Sequence, residues 1–231
     1  MFGRGSGFTK RELAVFRRLD TPGKIQTFLN DLSCNWELEG ETCLSPRAVL
    51  ERRTAHCVEG ALFAAAALRL HGRRALLVEL VATADDDSHL VAVWNQGGYW
   101  GAIGKTNHAV LRYREPVYRD TRELVMSFFH EYFLNSNGKK TLRSFTRPVN
   151  LARFDRRSWM TSDDDVWYIP EYIEGVRHYQ LMEPWQIRGL RRADDVEIMA
   201  GEILVDPTPA GLTGSRASRA TRRLARSSTE S

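Results

Sequence analysis

AHCVEGALFAAAALRLHG, residues 55–72, is the stretch on which the fold turns. From Cys57 onward alanine and leucine leave hardly any polar stripe, and Gly72 is a natural stop, so the segment reads as a helix of roughly 14 residues. A helix without a wet face belongs at the centre of its domain, enclosed by whatever flanks it in sequence. Its first turn carries a cysteine, at the positive end of the helix dipole, where thiolate is favoured over thiol.

The flanks supply the enclosure. Upstream, Thr9 and Glu12 form a capping box before LAVFRRL, and Thr21-Pro22 opens a helix with Ile25, Phe28, Leu29 and Leu32 on one face. Ser45-Pro46 repeats that start before RAVLERR. Downstream the period changes. ALLVELVATA (75–84) and HLVAVWNQ (89–96) are branched and apolar, separated by the polar turn Asp85–Ser88. Gly97-Gly98 is a hairpin turn, and YWGAI (99–103) returns as a third strand. The expectation is an α+β fold, a central buried helix packed on an antiparallel sheet. TRELVMSFFHEYF (121–133) reads as one amphipathic helix capped by Thr121, NSNGKK as a loop, and residues 155–211 have no sustained period. The chain divides into a helical region, 1–54, a helix-plus-sheet core, 55–135, an accessory part of the same domain, 136–210, and a tail, 211–231.

The chain's formal charge of +4 comes from that tail, which holds five arginines (216, 219, 222, 223 and 226) against Glu230. The remainder balances to zero. The basic balance is therefore no argument for a nucleic-acid surface on the folded part, and nonspecific attraction to anions is confined to the tail, whose Ser, Thr, Ala and Arg bias predicts disorder. No run is long and apolar enough to span a bilayer, and the opening MFGRGSGFTKRE lacks an apolar signal block. Cys34, Cys43 and Cys57 contain no CxxC pair and read as reduced thiols, so a cytoplasmic protein is expected.

A reactive thiol needs a base, and His89 opens a strand just after the acidic turn. Cysteine on a helix N-terminus with histidine on a neighbouring strand suits acyl transfer: the imidazole takes the thiol proton and later protonates the leaving amine. A third group should fix the tautomer. A two-residue turn at Gly97-Gly98 places Thr106 opposite His89, whereas a three-residue loop or a bulge at Gly101 or Gly104 places Asn107 there. The Asn carbonyl is the better acceptor, and Asn107 is the residue expected. The Cys57 backbone N–H is the natural first oxyanion donor, with Gln26, Asn35 and His56 as candidates for a second.

The run TAHCVEGALFAAAALRLHG (54–72), followed by RALLVEL (74–80), SHLVAVW (88–94) and GGYW (97–100), resembles the core of the transglutaminase-like superfamily, a branch of the papain-like cysteine fold. The resemblance covers roughly residues 22–110. It implies Cys57 as nucleophile, His89 as base and Asn107 as orienting residue, and an amide of a peptide or protein as substrate, with hydrolysis favoured over transfer. Two positions depart from the family pattern. WGAIGKTN (100–107) ends in Asn where the family commonly has Asp, often followed by Pro-Thr, and His56 stands where a small residue usually precedes the nucleophile. The Asp206-Pro207-Thr208 triplet lies far downstream and reads as a turn.

Other chemistries find less support. His56, Cys57, Glu59, His89 and His108 offer metal donors, but His56 and Cys57 are adjacent at a helix start and expected to point apart, and no pair has zinc-site spacing. Neither a P-loop nor a G-x-G-x-x-G follows a strand, so no nucleotide cofactor is expected. Tyr168, Tyr172, Tyr179 and Trp185 read as packing, with a substrate groove as the alternative. His71, His130 and His178 read as ordinary. The rival to an enzyme is a non-catalytic module that binds a peptide or protein on the same fold.

Overall fold

A computed structural model describes residues 2, 3 and 5–209. The segment expected to be a disordered basic tail lies outside the described residues.

Helix starts form where the sequence signals them. In α1 (Lys10–Arg18) the Thr9–Glu12 capping box is closed in both directions. Thr21 caps α2 (Pro22–Asn30), whose first residue is the proline. A short strand, β1 (Ser33–Cys34), precedes α3 (Pro46–Arg52), capped by Ser45. Then β2 (Thr54–Ala55) pairs in parallel with β1, setting Cys34 opposite Ala55. The chain turns directly from β2 into α4 (Cys57–Leu70). Ten residues of α4 are buried, Glu59 through Leu68.

The strands β3 (Leu76–Val81), β4 (His89–Gln96) and β5 (Tyr99–Ile103) form the expected meander. Gly97 and Gly98 both have positive φ, 60° and 92°, and Gln96 faces Tyr99, so the loop is the two-residue turn whose twist matches its strands. Next come β6 (Arg114–Tyr118), α5 (Thr121–Met126) and a 3₁₀ turn, Phe129–Glu131. The single helix expected over 121–133 is thus two pieces, and its cap is Asp120, which accepts from the Glu123 N–H, rather than Thr121. Beyond lie β7 (Ser144–Thr146), β8 (Val149–Asn150), a second 3₁₀ turn (Leu151–Arg157), α6 (Tyr168–Glu174), β9 (His178–Gln180), α7 (Pro184–Arg188) and α8 (Asp195–Gly201).

The main sheet is antiparallel, ordered β6-β5-β4-β3-β7-β9, with β8 also on β3. Both faces are covered, which explains the apolar run of β3, interrupted by buried Glu79, and that of β4 over residues 90–94. On one face Leu77, Leu90, Ala92, Trp94 and Ile103 pack with α4, α1, α2 and, from the other end of the chain, Trp159, Val166 and Ile169. On the other, Leu76, Val78, Leu80, Val91 and Val93 pack with Leu124, Phe128, Tyr132 and Phe145. The α+β architecture, with the alanine helix enclosed between sheet and flanking helices, is as the sequence predicts. Small side chains let α4 approach closely: a Cβ on Gly60 would stand 2.3 Å from Cβ of Lys105. Phe63 stacks between Phe16 and Phe28, at 5.0 and 4.9 Å.

Candidate active site

The turn from β2 into α4 makes the site. His56 is the N-cap of α4, with extended backbone (φ −93°, ψ −172°) that carries its ring back over the first helical turn. The adjacent side chains of His56 and Cys57, expected to diverge, therefore meet. His89 approaches the same thiol from the start of β4, so both imidazoles lie beside Cys57 and favour its thiolate. Burial alone would raise the thiol's pKa, but the two imidazoles, by contact and by charge, outweigh it and hold Cys57 down at about 5. Cys57 as a residue is partly exposed, though its sulfur is packed round by protein atoms.

His56 is held by an anion at the third position of its own helix. Glu59 is fully buried, and its carboxylate accepts from Asn35 Nδ2, Thr42 Oγ1, and the Leu44 and His56 backbone N–H groups. His56 Nε2 donates to the Thr42 carbonyl at 2.9 Å and stands 3.4 Å from Glu59. Burial pulls this imidazole down, but the Glu59 charge, the Cys57 hydrogen bond and charge, and the Thr42 carbonyl raise it to about 10. The sequence reading missed this His56–Glu59 pair. Its visible signal is H-x-x-E, the capping-box spacing with histidine in place of serine.

The other two cysteines differ from Cys57. Burial pushes Cys34 up to about 11 and Cys43 well above its ordinary value.

Asn107 does not serve His89 here. Its carboxamide is taken by one backbone unit: Nδ2 donates to the Asp206 carbonyl at 2.9 Å and Oδ1 accepts from the Asp206 N–H at 2.8 Å. The two-residue turn sets the register that would carry Thr106 toward His89, but β5 ends at Ile103, and Thr106 Oγ1 accepts from the His108 N–H. His89 Nε2 is buried without a hydrogen-bond partner among the described residues. It lies 3.2 Å from where a Cβ on Gly104 would stand, so only glycine fits that strand end without pushing the ring. The Asp206-Pro207-Thr208 segment, expected to be a turn, has only a bend at Asp206, and it is a tie: Asp206 Oδ2 accepts from the Cys34 N–H at 2.5 Å.

None of the side chains considered as a second oxyanion donor is free. Gln26 brackets Gly104, Nε2 donating to its carbonyl and Oε1 accepting from its N–H. Asn35 gives its two protons to Thr42 and Glu59, and His56 Nε2 is on Thr42. The Cys57 N–H, in the first turn of α4, has no intrahelical acceptor and remains the natural first donor. Among the described residues no His, Cys, Asp or Glu cluster gathers as a metal ligand set, and no helix is long and apolar enough to cross a membrane.

Comparison with protein-family models and with curated proteins finds no match for this chain.

Proposed function

We propose that this protein is a cysteine-dependent acyl-transfer enzyme on a transglutaminase-like, papain-related core, cleaving or transferring an amide of a peptide or protein through a thioester. The observation that carries the reading is the Cys57 thiol of a partly exposed residue at a helix N-terminus, set beside two imidazoles that hold it near pKa 5. In this mechanism the thiolate attacks the amide carbonyl carbon while the Cys57 N–H supports the oxyanion. The C–N bond breaks as the His89 imidazolium gives its proton to the leaving amine. Water or an acceptor amine then attacks the thioester with neutral His89 taking its proton, and the thiolate leaves. His56, tied to Glu59 and Thr42, is the positioning charge for the sulfur rather than the mobile acid-base group.

The unpartnered His89 Nε2 favours one rival, a peptide-binding module on the same core, since without an orienting group the imidazole is a poorer catalyst. Thiol reactivity separates the two. Iodoacetamide at pH 6 should alkylate Cys57 at least tenfold faster than Cys34 or Cys43, and His89→Ala should slow it. Equal rates at all three cysteines would remove the enzyme reading and leave the binding module.

A further inference from the structure

Away from the thiol, at the β7–β9 edge of the sheet, lies an open groove of about 660 Å³ lined by Arg147, Glu171, Tyr172, Gly175, Val176, Arg177 and Tyr179. The Arg147 N–H donates to the Arg177 carbonyl, so the two arginines leave neighbouring backbone positions. Both are exposed, and among the described residues neither guanidinium has a carboxylate or hydrogen-bond partner; Arg177 only lies over the Tyr179 ring, at 5.0 Å. Two unpaired guanidiniums beside two phenols suit a planar anion, which they can hold through parallel N–H···O bonds. Glu171 in the same lining repels a dianion more than a monoanion, which favours a carboxylate over a phosphate. The volume exceeds one carboxylate and fits a side chain with its backbone.

Register ties the groove to the thiol. His89 pairs with Leu80, Leu80 with Phe145, and Phe145 with Tyr179, one row across four strands. At about 4.8 Å per strand, His89 and Tyr179 are about 14 Å apart, the reach of about four extended residues.

We propose that the groove between Arg147, Arg177, Tyr172 and Tyr179 seats one carboxylate of an acidic peptide whose scissile amide, about four residues along, reaches Cys57. The carboxylate site stands on the groove alone, while its role as a substrate subsite rests on the acyl-transfer reading above.

The two parts are tested separately. In the ¹⁵N-labelled full chain, acetyl-Glu-Ala-Ala-Ala-amide should shift the Gly175 and Val176 amides and the Arg147 and Arg177 side-chain signals saturably. The Gln analogue should bind at least about fivefold more weakly. The R147Q/R177Q double variant should lose the response with the rest of its spectrum unchanged, and C57A should keep it. No shifts, equal response to Glu and Gln peptides, an intact response in the double variant, or tighter binding of inorganic phosphate would each overturn the carboxylate site. For the link, a peptide bearing a chloroacetamide four residues from its Glu should alkylate Cys57 several-fold faster than its Gln twin in the native chain but not in R147Q/R177Q. Equal rates with the carboxylate site intact would overturn the subsite role alone.

Discussion

Replacing His56 by Asn isolates the charge that the structure places beside the sulfur. Asn is a good N-cap, and its side-chain oxygen can accept from the first turn of α4, where His56 Nδ1 stands 3.2 Å from the Val58 nitrogen. Glu59 keeps its Asn35, Thr42, Leu44 and His56-position backbone donors, so the buried carboxylate stays satisfied. The variant should therefore fold with a stability loss of about 1 kcal/mol, in the range of an altered cap. The sulfur, by contrast, loses one of the two imidazoles that bring it from an ordinary thiol value of about 8.5 to about 5. Because burial keeps raising the thiol, losing half of the imidazoles' effect removes more than half of that net displacement, moving the midpoint to about 7 or above. At pH 6 the thiolate fraction then falls from about nine-tenths to about one-tenth or less, so alkylation slows at least about tenfold, and the gap between the native and H56N rates closes as the pH rises past the variant's midpoint. The assay is the iodoacetamide rate at Cys57 from pH 4 to 10, read by peptide mass, with circular dichroism to confirm the fold. A midpoint that stays at 5 in folded H56N would refute the role assigned to His56.

Gly104→Ala should shift the same profile upward with little loss of stability, because the new Cβ meets His89 Nε2 at 3.2 Å and Val91 Cγ1 at 3.3 Å and the ring must yield; an unchanged midpoint would show the ring has room. Asn107→Ala should leave the Cys57 midpoint where it is and instead loosen residues 203–208, seen as faster hydrogen exchange or proteolysis there, since its amide binds Asp206 and not His89. Glu79→Gln probes pH linkage. Burial first, then the Glu174 and Cys57 charges, raise the Glu79 carboxyl from 4.5 to about 7, so the fold holds a proton that the unfolded chain releases. Native stability therefore loses up to about 3 kcal/mol from this group as pH rises from about 4.5 to 7, and no more beyond. The depressed Cys57 works with opposite sign over roughly pH 5 to 8.5, so the informative quantity is the difference between E79Q and the native chain. By urea unfolding, E79Q should gain stability relative to the native chain between pH 5 and pH 7.5; a pH-independent difference would refute the linkage.

The central helix and meander were legible because their signals are local. The Gly97-Gly98 turn, the apolar runs on either side and the proline-led helix starts each depend on neighbours within a few positions. The break at Ser127 within 121–133 was not legible from spacing, since the apolar face continues into Phe128 and Phe129 while the backbone tightens to 3₁₀. At the site, the placement of Cys57 and His89 near each other follows from helix N-terminus and strand start. His56 was misjudged because helical geometry was extended one residue too far: two adjacent helical side chains diverge, but an N-cap is extended and folds its side chain over the turn it caps. Asn107 failed for a different reason. Its partner, Asp206, is 99 positions away, and no feature of residues 100–107 announces it.

These two departures bear on one another. In a cysteine–histidine pair the third group has two effects: it fixes the tautomer of the imidazole and it stabilises the imidazolium that faces the thiolate. Here the thiolate, rather than the His89 imidazolium, is stabilised from the other side of the sulfur, by His56 with buried Glu59 behind it, a charge set delivered by the cap and third residue of the helix that carries Cys57. The first effect has no hydrogen-bond partner to supply it among the described residues; Gly104, whose missing Cβ leaves a slot for the His89 ring, and Gln26, which fixes the Gly104 backbone through two hydrogen bonds, place the ring without choosing its tautomer. A thiolate can thus persist at neutral pH although Asn107 is engaged elsewhere. The rank of effects follows: removing His56 or its Glu59 support should raise the thiol midpoint, removing His89 should raise it and also eliminate proton delivery to the leaving amine, and removing Asn107 should do neither.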